Sequence, residues 1–270
     1  MSHQNASVKS IIFALSANFG ITITKTVAAV ITGSGAMLAE SIHSFADCGN
    51  QGLLFLGLRA AKKNPDYEHP LGYGKAIYFW SFIVALMLFS MGGLFSIYEG
   101  IHKFHSTEEV KSPLIAIVVL SVSLVLEGAS LWGCTTQINK VKNNQSLWQW
   151  VKSTRQSELV VVFGEDIAAL FGLMFALVAV ILSYVTGNPV YDSIGSIVIG
   201  VLLVFVSIFI AAKVKGLLIG QSADETVRLE IKTLLEARPE IESILNLITI
   251  QLGAQIMVAV KAKMAKTESI

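Results

Sequence analysis

His43 and Asp47 stand four residues apart in the run LAESIHSFADCGNQ. Four residues is close to one helical turn, so on a helix the imidazole and the carboxylate share a face. Both groups ligate divalent transition metals. The surrounding stretch is apolar, and an ionisable side chain inside a bilayer costs roughly 2.5–3.5 kcal/mol on insertion scales. Two such groups kept together point to a function, and the chemistry they offer is coordination of a metal cation on its way across a membrane. The structural alternative is a helix-packing hydrogen bond between them or to a neighbouring helix.

Further ionisable groups fall in apolar stretches: Lys25, Glu40, Glu127, Glu165 and Asp166. Asp166, in VVFGEDIAALFG, can complete a site between two helices, or pair with Lys25. Glu165 is its neighbour, so one helix face cannot present both equally. Three roles stand open for Glu165: fourth ligand, proton acceptor, or partner of Lys25. Glu127 reads as a structural or proton-relay carboxylate. Glu40, one turn before His43, attracts cations or caps a helix, and Asn18 could line the same cavity, although a helix–helix hydrogen bond is the safer reading. Asp66 and His69, in DYEHPLGYGK, offer a weaker metal site in a polar loop, for which an ordinary loop reads equally well. His102 and His105 flank Phe104 in a solvated connection, and His3 lies in an N-terminal tail. Cys48 and Cys134 form no CxxC and read as small buried hydrophobes, with Cys48 turned about 100° away from Asp47.

The elements that position these groups follow from composition. The 270 residues are 53% hydrophobic and only 14% charged, with a mean hydropathy of +0.65. Soluble domains carry about 25% charged residues, so the chain reads as an integral membrane protein. A net charge of +1 gives no reason to expect nucleic-acid binding. Six apolar segments are long enough to cross about 30 Å of hydrocarbon: roughly 10–31, 36–58, 77–101, 113–135, 158–185 and 190–212. The first is read as a membrane helix rather than a cleaved signal. A polar link over about 136–157 joins the fourth span to the fifth.

Lys and Arg cluster in the second-to-third link (Arg59, Lys62, Lys63, Lys75) and the fourth-to-fifth link (Lys140, Lys142, Lys152, Arg155). The positive-inside rule puts these links, and both termini, in the cytoplasm. Beyond about residue 213, DETVRLEIKTLLEARPEI carries Val227, Ile231, Leu234 and Leu235 at helical spacing and ends at Pro239. SILNLITIQLG and AQIMVAVKAKM then read as two strands joined at Gly253-Ala254. The expected fold is a membrane all-α domain of six transmembrane helices followed by a small α+β cytoplasmic domain. The expected divisions are a tail at 1–9, a transport domain at 10–213 and a cytoplasmic domain at 214–270. No histidine follows residue 105, so the last part lacks imidazole for a tight zinc site.

Taken together, GSGAMLAESIHSFAD, EHPLGYGKA, SLVLEGASLWG, FGEDIAALFG and YDSIGS resemble the cation diffusion facilitators, six-helix metal/proton antiporters. The resemblance is strongest to the branch of mitochondrial-type zinc transporters and their bacterial relatives. It implies a homodimer with one transport site per protomer, two ligands coming from the second helix and two from the fifth. Carried over, His43 and Asp47 match the second-helix pair and Asp166 the second ligand of the fifth. The first ligand of the fifth falls at Val162, which cannot coordinate. Either water or Glu165 then completes the site. Tyr73 stands where some members have histidine in the loop motif.

The expected function is proton-coupled export of a divalent transition-metal cation from the cytoplasm, with zinc leading and iron, manganese and cobalt as alternatives. The metal is substrate, and no cofactor is expected. Ligands bind metal only when deprotonated, and an unperturbed imidazole titrates at about 6.5, so His43 is the natural exchanging group. A metal-binding membrane sensor or scaffold is the alternative. An intramembrane metalloenzyme stands further off, because HxxxD lacks the HExxH pairing. A bacterial inner membrane is the expected location.

Overall fold

The structure, a computed structural model, describes residues 18–104, 110–142 and 145–265. Residues 18–32 form α1, and Gly33 and Ser34 break it from α2 (Gly35–Ala61). Then come α3 (Ala76–Phe104), with a π-helical stretch over Leu88–Leu94, and α4 (Pro113–Val141). A short α5 (Leu147–Ser153) leads into α6 (Ser157–Thr186) and α7 (Val190–Ile219). The chain closes with α8 (Glu225–Glu236), β1 (Ile241–Leu252) and β2 (Gln255–Met264).

Four of these helices, α3, α4, α6 and α7, are long and apolar enough to cross a membrane. Helix α2, of 27 residues, spans about 40 Å, but Glu40, His43 and Asp47 dilute its apolar character. Only 18–32 of the first expected span is described. The start of that span, the 1–9 tail with His3, and His105 lie outside the described residues. The outward faces of the long helices are apolar (Val30, Val125, Trp132, Val185 and Phe205 are all exposed), as a lipid-facing surface requires.

The polar link expected over about 136–157 is largely folded. Helix α4 runs on to Val141, and α5 follows. Ser146 accepts from the backbone N–H of Gln149 at 3.3 Å, and the Gln149 side chain accepts from that of Ser146 at 3.2 Å, a reciprocal cap. Trp150 and Val151 pack with Cys134, Ile138 and Val160. An apolar stretch this short carries no spanning signal, so it reads as a link. Helix α7 likewise runs past the expected 212 to Ile219.

Asp224 caps α8 by accepting from Thr226 N at 3.0 Å, and the helix stops at Glu236, before Pro239. No α8 side chain is fully buried. The two strands pair antiparallel through the expected turn, with Leu252 opposite Gln255 and Gly253 at φ +64°, where glycine carries no Cβ penalty. This hairpin seats against the start of α3. Gly253 N donates to the Tyr78 hydroxyl at 3.0 Å, and a Cβ added at Gly74 would lie 2.2 Å from the Leu252 carbonyl.

Small residues set the helix packing. A Cβ added at Gly200 on α7 would lie 2.7 Å from the Gly93 carbonyl on α3, so both glycines let the backbones approach closely. At the end of α2 away from the hairpin, Asp192 of α7 accepts from Ser34 Oγ and Gly35 N, both at 2.5 Å, and from Ala36 N at 3.4 Å. A carboxylate there satisfies otherwise orphaned N–H groups and meets the positive end of the helix dipole. Lys103 donates to the Gly33 carbonyl beside it. Asp192→Ala strips this buried cap and is expected to lower stability by about 1–3 kcal/mol, read as a lower Tm in thermal unfolding of the detergent-purified chain, whereas Asp192→Asn, which keeps one acceptor, loses less.

Candidate metal site

Helices α1 and α2 meet through a stripe of polar residues. Thr22, Lys25 and Thr26 lie at i, i+3 and i+4, on one face. Thr22 Oγ1 donates to the Ser44 carbonyl at 3.1 Å, and Thr26 and Ser41 share a hydroxyl hydrogen bond of 2.8 Å. Cys48 Sγ lies 3.4 Å from Thr22 Oγ1, facing α1. Lys25 donates to Ser44 Oγ at 2.7 Å and to Glu40 Oε2 at 3.4 Å. The sequence offers Glu165 and Asp166 as partners of Lys25; the structure pairs it with neither and instead with Glu40.

On α2, Glu40, His43, Asp47 and Asn50 follow one another at intervals of three, four and three residues, which keeps them on one face. His43 is completely buried, and its Nε2 lies 3.6 Å from Asp47 Oδ2. That is longer than a hydrogen bond. Both ring nitrogens and Asp47 Oδ1 are buried with no hydrogen-bond partner. Unpartnered polar atoms are costly away from water, and donors of this type left free suit a cation.

On α6, the adjacent Glu165 and Asp166 point to different neighbours. Glu165 Oε1 accepts from Asn50 Nδ2 of α2 at 2.6 Å. Asp166 Oδ1 accepts from Ser130 Oγ of α4 at 3.3 Å, and its Oδ2 is buried without a partner. A cavity of about 40 Å³ opens between α1, α2, α4 and α6, lined by Asn18, Asp47, Glu127, Ser130, Val162, Glu165 and Asp166 among others. That volume holds a single ion or water.

The structure therefore brings Asp47, Glu165 and Asp166 to one cavity and adds Glu127. His43 stands one turn along α2 and does not line it. Among the described residues, no three His, Cys, Asp or Glu side chains gather closely enough to hold a metal ion. Asn50 and Ser130, which orient the two α6 carboxylates, escaped the sequence reading. The signal for both was spacing: Asn50 follows Asp47 by three residues, and Ser130 follows Glu127 by three.

The loop pair lies elsewhere. Asp66 Oδ1 accepts from the His69 backbone N–H at 2.7 Å, and Oδ2 accepts from the Tyr73 hydroxyl at 2.6 Å. The His69 ring lies over Tyr73 at 4.2 Å, with its Nδ1 3.4 Å from Asp66 Oδ1. Both carboxylate oxygens are engaged within the loop, so the geometry fits a staple better than a ligand set. The Tyr73 hydroxyl, then the His69 N–H, hold the Asp66 carboxyl below its usual range. A lowered value stabilises the ionised loop above the ordinary carboxyl range, and this is lost as pH falls through the lowered value. Tyr73→Phe is expected to move the Asp66 titration upward, as carboxyl-carbon NMR would record. A cleft of about 830 Å³ lies near this loop, with Lys62, Lys63 and Arg155 in its wall and none of Asp47, Glu127, Glu165 or Asp166 among its lining residues.

Comparison with known proteins agrees with this architecture. The model of the cation efflux transmembrane domain matches residues 11–219. The mitochondrial proton-coupled zinc antiporter of Xenopus laevis is 38% identical over 222 residues, which cover 82% of this chain and 40% of that protein. Its human counterpart is 35% identical over 234 residues, covering 85% and 41%. Metal tolerance protein C4 of Arabidopsis thaliana is 34% identical over 221 residues, covering 81% and 48%. The chain thus spans two fifths to one half of the length of these relatives. The match runs through α1, α2, α4 and α6, the helices that line the carboxylate cavity, and the chain belongs to the cation efflux family.

Proposed function

We propose that the chain is a proton-coupled antiporter that moves a divalent transition-metal cation, with zinc leading, out of the cytoplasm. It is a transporter and not an enzyme. The observation that carries this reading is the small carboxylate-lined cavity between α1, α2, α4 and α6, of which α4 and α6 are long and apolar enough to span a bilayer. Relatives named as proton-coupled zinc antiporters support the choice of cargo and coupling ion.

On this reading His43, Asp47 and Asp166 are the transport ligands, and Glu165 is the fourth, released from Asn50 when a cation enters. The unpartnered nitrogens of His43 and the free oxygens of Asp47 and Asp166 support that assignment. Capture draws α2 and α6 together around the ion. Protons then compete for the same donors and release it on the other side. Six membrane helices, with α1 and α2 as the additional pair, a homodimer, and both termini in the cytoplasm complete the proposal. The relatives are named for mitochondria and for bacterial magnetosomes, and do not single out a bacterial inner membrane.

The test is flux through the reconstituted chain for a panel of Zn²⁺, Fe²⁺, Mn²⁺ and Co²⁺, with and without a pH gradient. Zinc flux that rises with an opposing proton gradient is the expected outcome. Bound metal with no flux under either condition would replace the transporter with a sensor.

A further inference from the structure

We propose, resting on the transport reading above, that Glu40 and Ser44 form a second cation station on α2, and that Lys25 is a tethered ammonium standing in for the metal there. Lys25 and Glu40 are both completely buried. A buried ion pair is a poor device for stability, since apolar side chains of similar volume often pack as well or better. A charge kept in this position is better explained by what passes it.

The donors are arranged as a cation site. The ammonium lies 2.7 Å from Ser44 Oγ and 3.4 Å from Glu40 Oε2. Glu40 Oε1 is buried and takes no hydrogen bond. It lies against Gly172 of α6, where an added Cβ would come within 2.4 Å of it, so that glycine makes room for the carboxylate. Glu40, His43 and Asp47 each present a buried polar atom without a hydrogen-bond partner, at successive turns of one face. The steps are about 4.5 and 6 Å along the axis, short enough for a cation to exchange one set of donors for the next.

The station borders the carboxylate cavity, whose lining includes Ser44, on the side toward the end of α2 clasped by Asp192, away from the C-terminal hairpin. A divalent cation leaving the cavity in that direction meets Lys25 next. It displaces the ammonium from Glu40, and once it departs the ammonium returns. A tethered competitor of this kind disfavours re-entry of the ion from the far side.

The experiment uses the full chain in nanodiscs, with Zn²⁺ and Mn²⁺ as probes, bound metal per chain by elemental mass spectrometry, and vesicle flux. Wild type is expected to retain one ion and Lys25→Met two. The double variant Lys25→Met/Glu40→Gln is expected to return to one, with flux lowered about tenfold. A folded Lys25→Met chain that retains a single ion of either metal overturns the proposal. If Lys25→Met does not fold, the double variant decides: one bound ion with reduced flux sustains the proposal, and wild-type flux overturns it. Asp47→Ala separates this from the underlying reading. Unchanged flux in Asp47→Ala sinks the transport site itself, whereas lost flux there alongside a single ion in Lys25→Met sinks only the second station.

Discussion

Asp47→Ala is expected to reduce proton-dependent metal flux at least about 100-fold, to the level of protein-free vesicles, while the protein remains folded. The side chain is suited to this separation of effects. Its Oδ1 has no hydrogen-bond partner, and its Oδ2 only approaches His43 at 3.6 Å. Removing it therefore leaves no backbone or side-chain donor newly stranded, and the alanine enlarges an existing cavity of about 40 Å³. His43→Ala is expected to give the same loss of flux with a larger cost in stability, because that ring is completely buried and its deletion opens a cavity. Asn50→Ala and Ser130→Ala act through Glu165 and Asp166, whose orientation they fix, and are expected to lower flux about tenfold. Wild-type-like flux from Asp47→Ala in reconstituted vesicles would reject the site.

Periodicity and punctuation made much of this architecture legible. The long apolar runs gave the helices, and the polar alternation around Gly253 gave the hairpin with its turn in the observed place. His43 and Asp47 stand out in the sequence because two ionisable residues one turn apart in an apolar helix have few structural uses, but that His43 stays outside the cavity lining is not readable from spacing. What escaped depends on which helices meet. The partners that the sequence offers Lys25 are Glu165 and Asp166, and the observed one, Glu40, is missed because only the packing of α1 against α2 brings the two side chains together. Asn50 and Ser130 are uncharged and raise no alarm in a hydropathy reading, yet each fixes a carboxylate across a helix interface. Asp192 and Ser34 stand 158 residues apart, and only the approach of α7 to the start of α2 turns two short motifs into one cap. Helix α5 was hidden for another reason: its stability comes from a cap and from Trp150 packing against α4 and α6, not from length.

Val162→His is expected to shift transport selectivity toward zinc over manganese by about tenfold or more. Val162 lines the carboxylate cavity and precedes Asp166 by four residues, so a histidine there would repeat on α6 the arrangement of His43 and Asp47 on α2. The donors now facing the cavity are dominated by oxygen: Asp47, Glu127, Glu165, Asp166 and Ser130. Oxygen sets suit harder ions such as manganese, while imidazole favours zinc. An added nitrogen donor also relieves the site of recruiting Glu165, which can stay with Asn50. The variant therefore makes a second, linked prediction: Asn50→Ala, costly in the natural sequence, becomes nearly neutral when combined with Val162→His. Competition flux with mixed Zn²⁺ and Mn²⁺ reads both effects. An unchanged metal ratio in a folded Val162→His protein would mean that the cation does not pass between α2 and α6 at this level, and the path would have to be sought along α4 at Glu127.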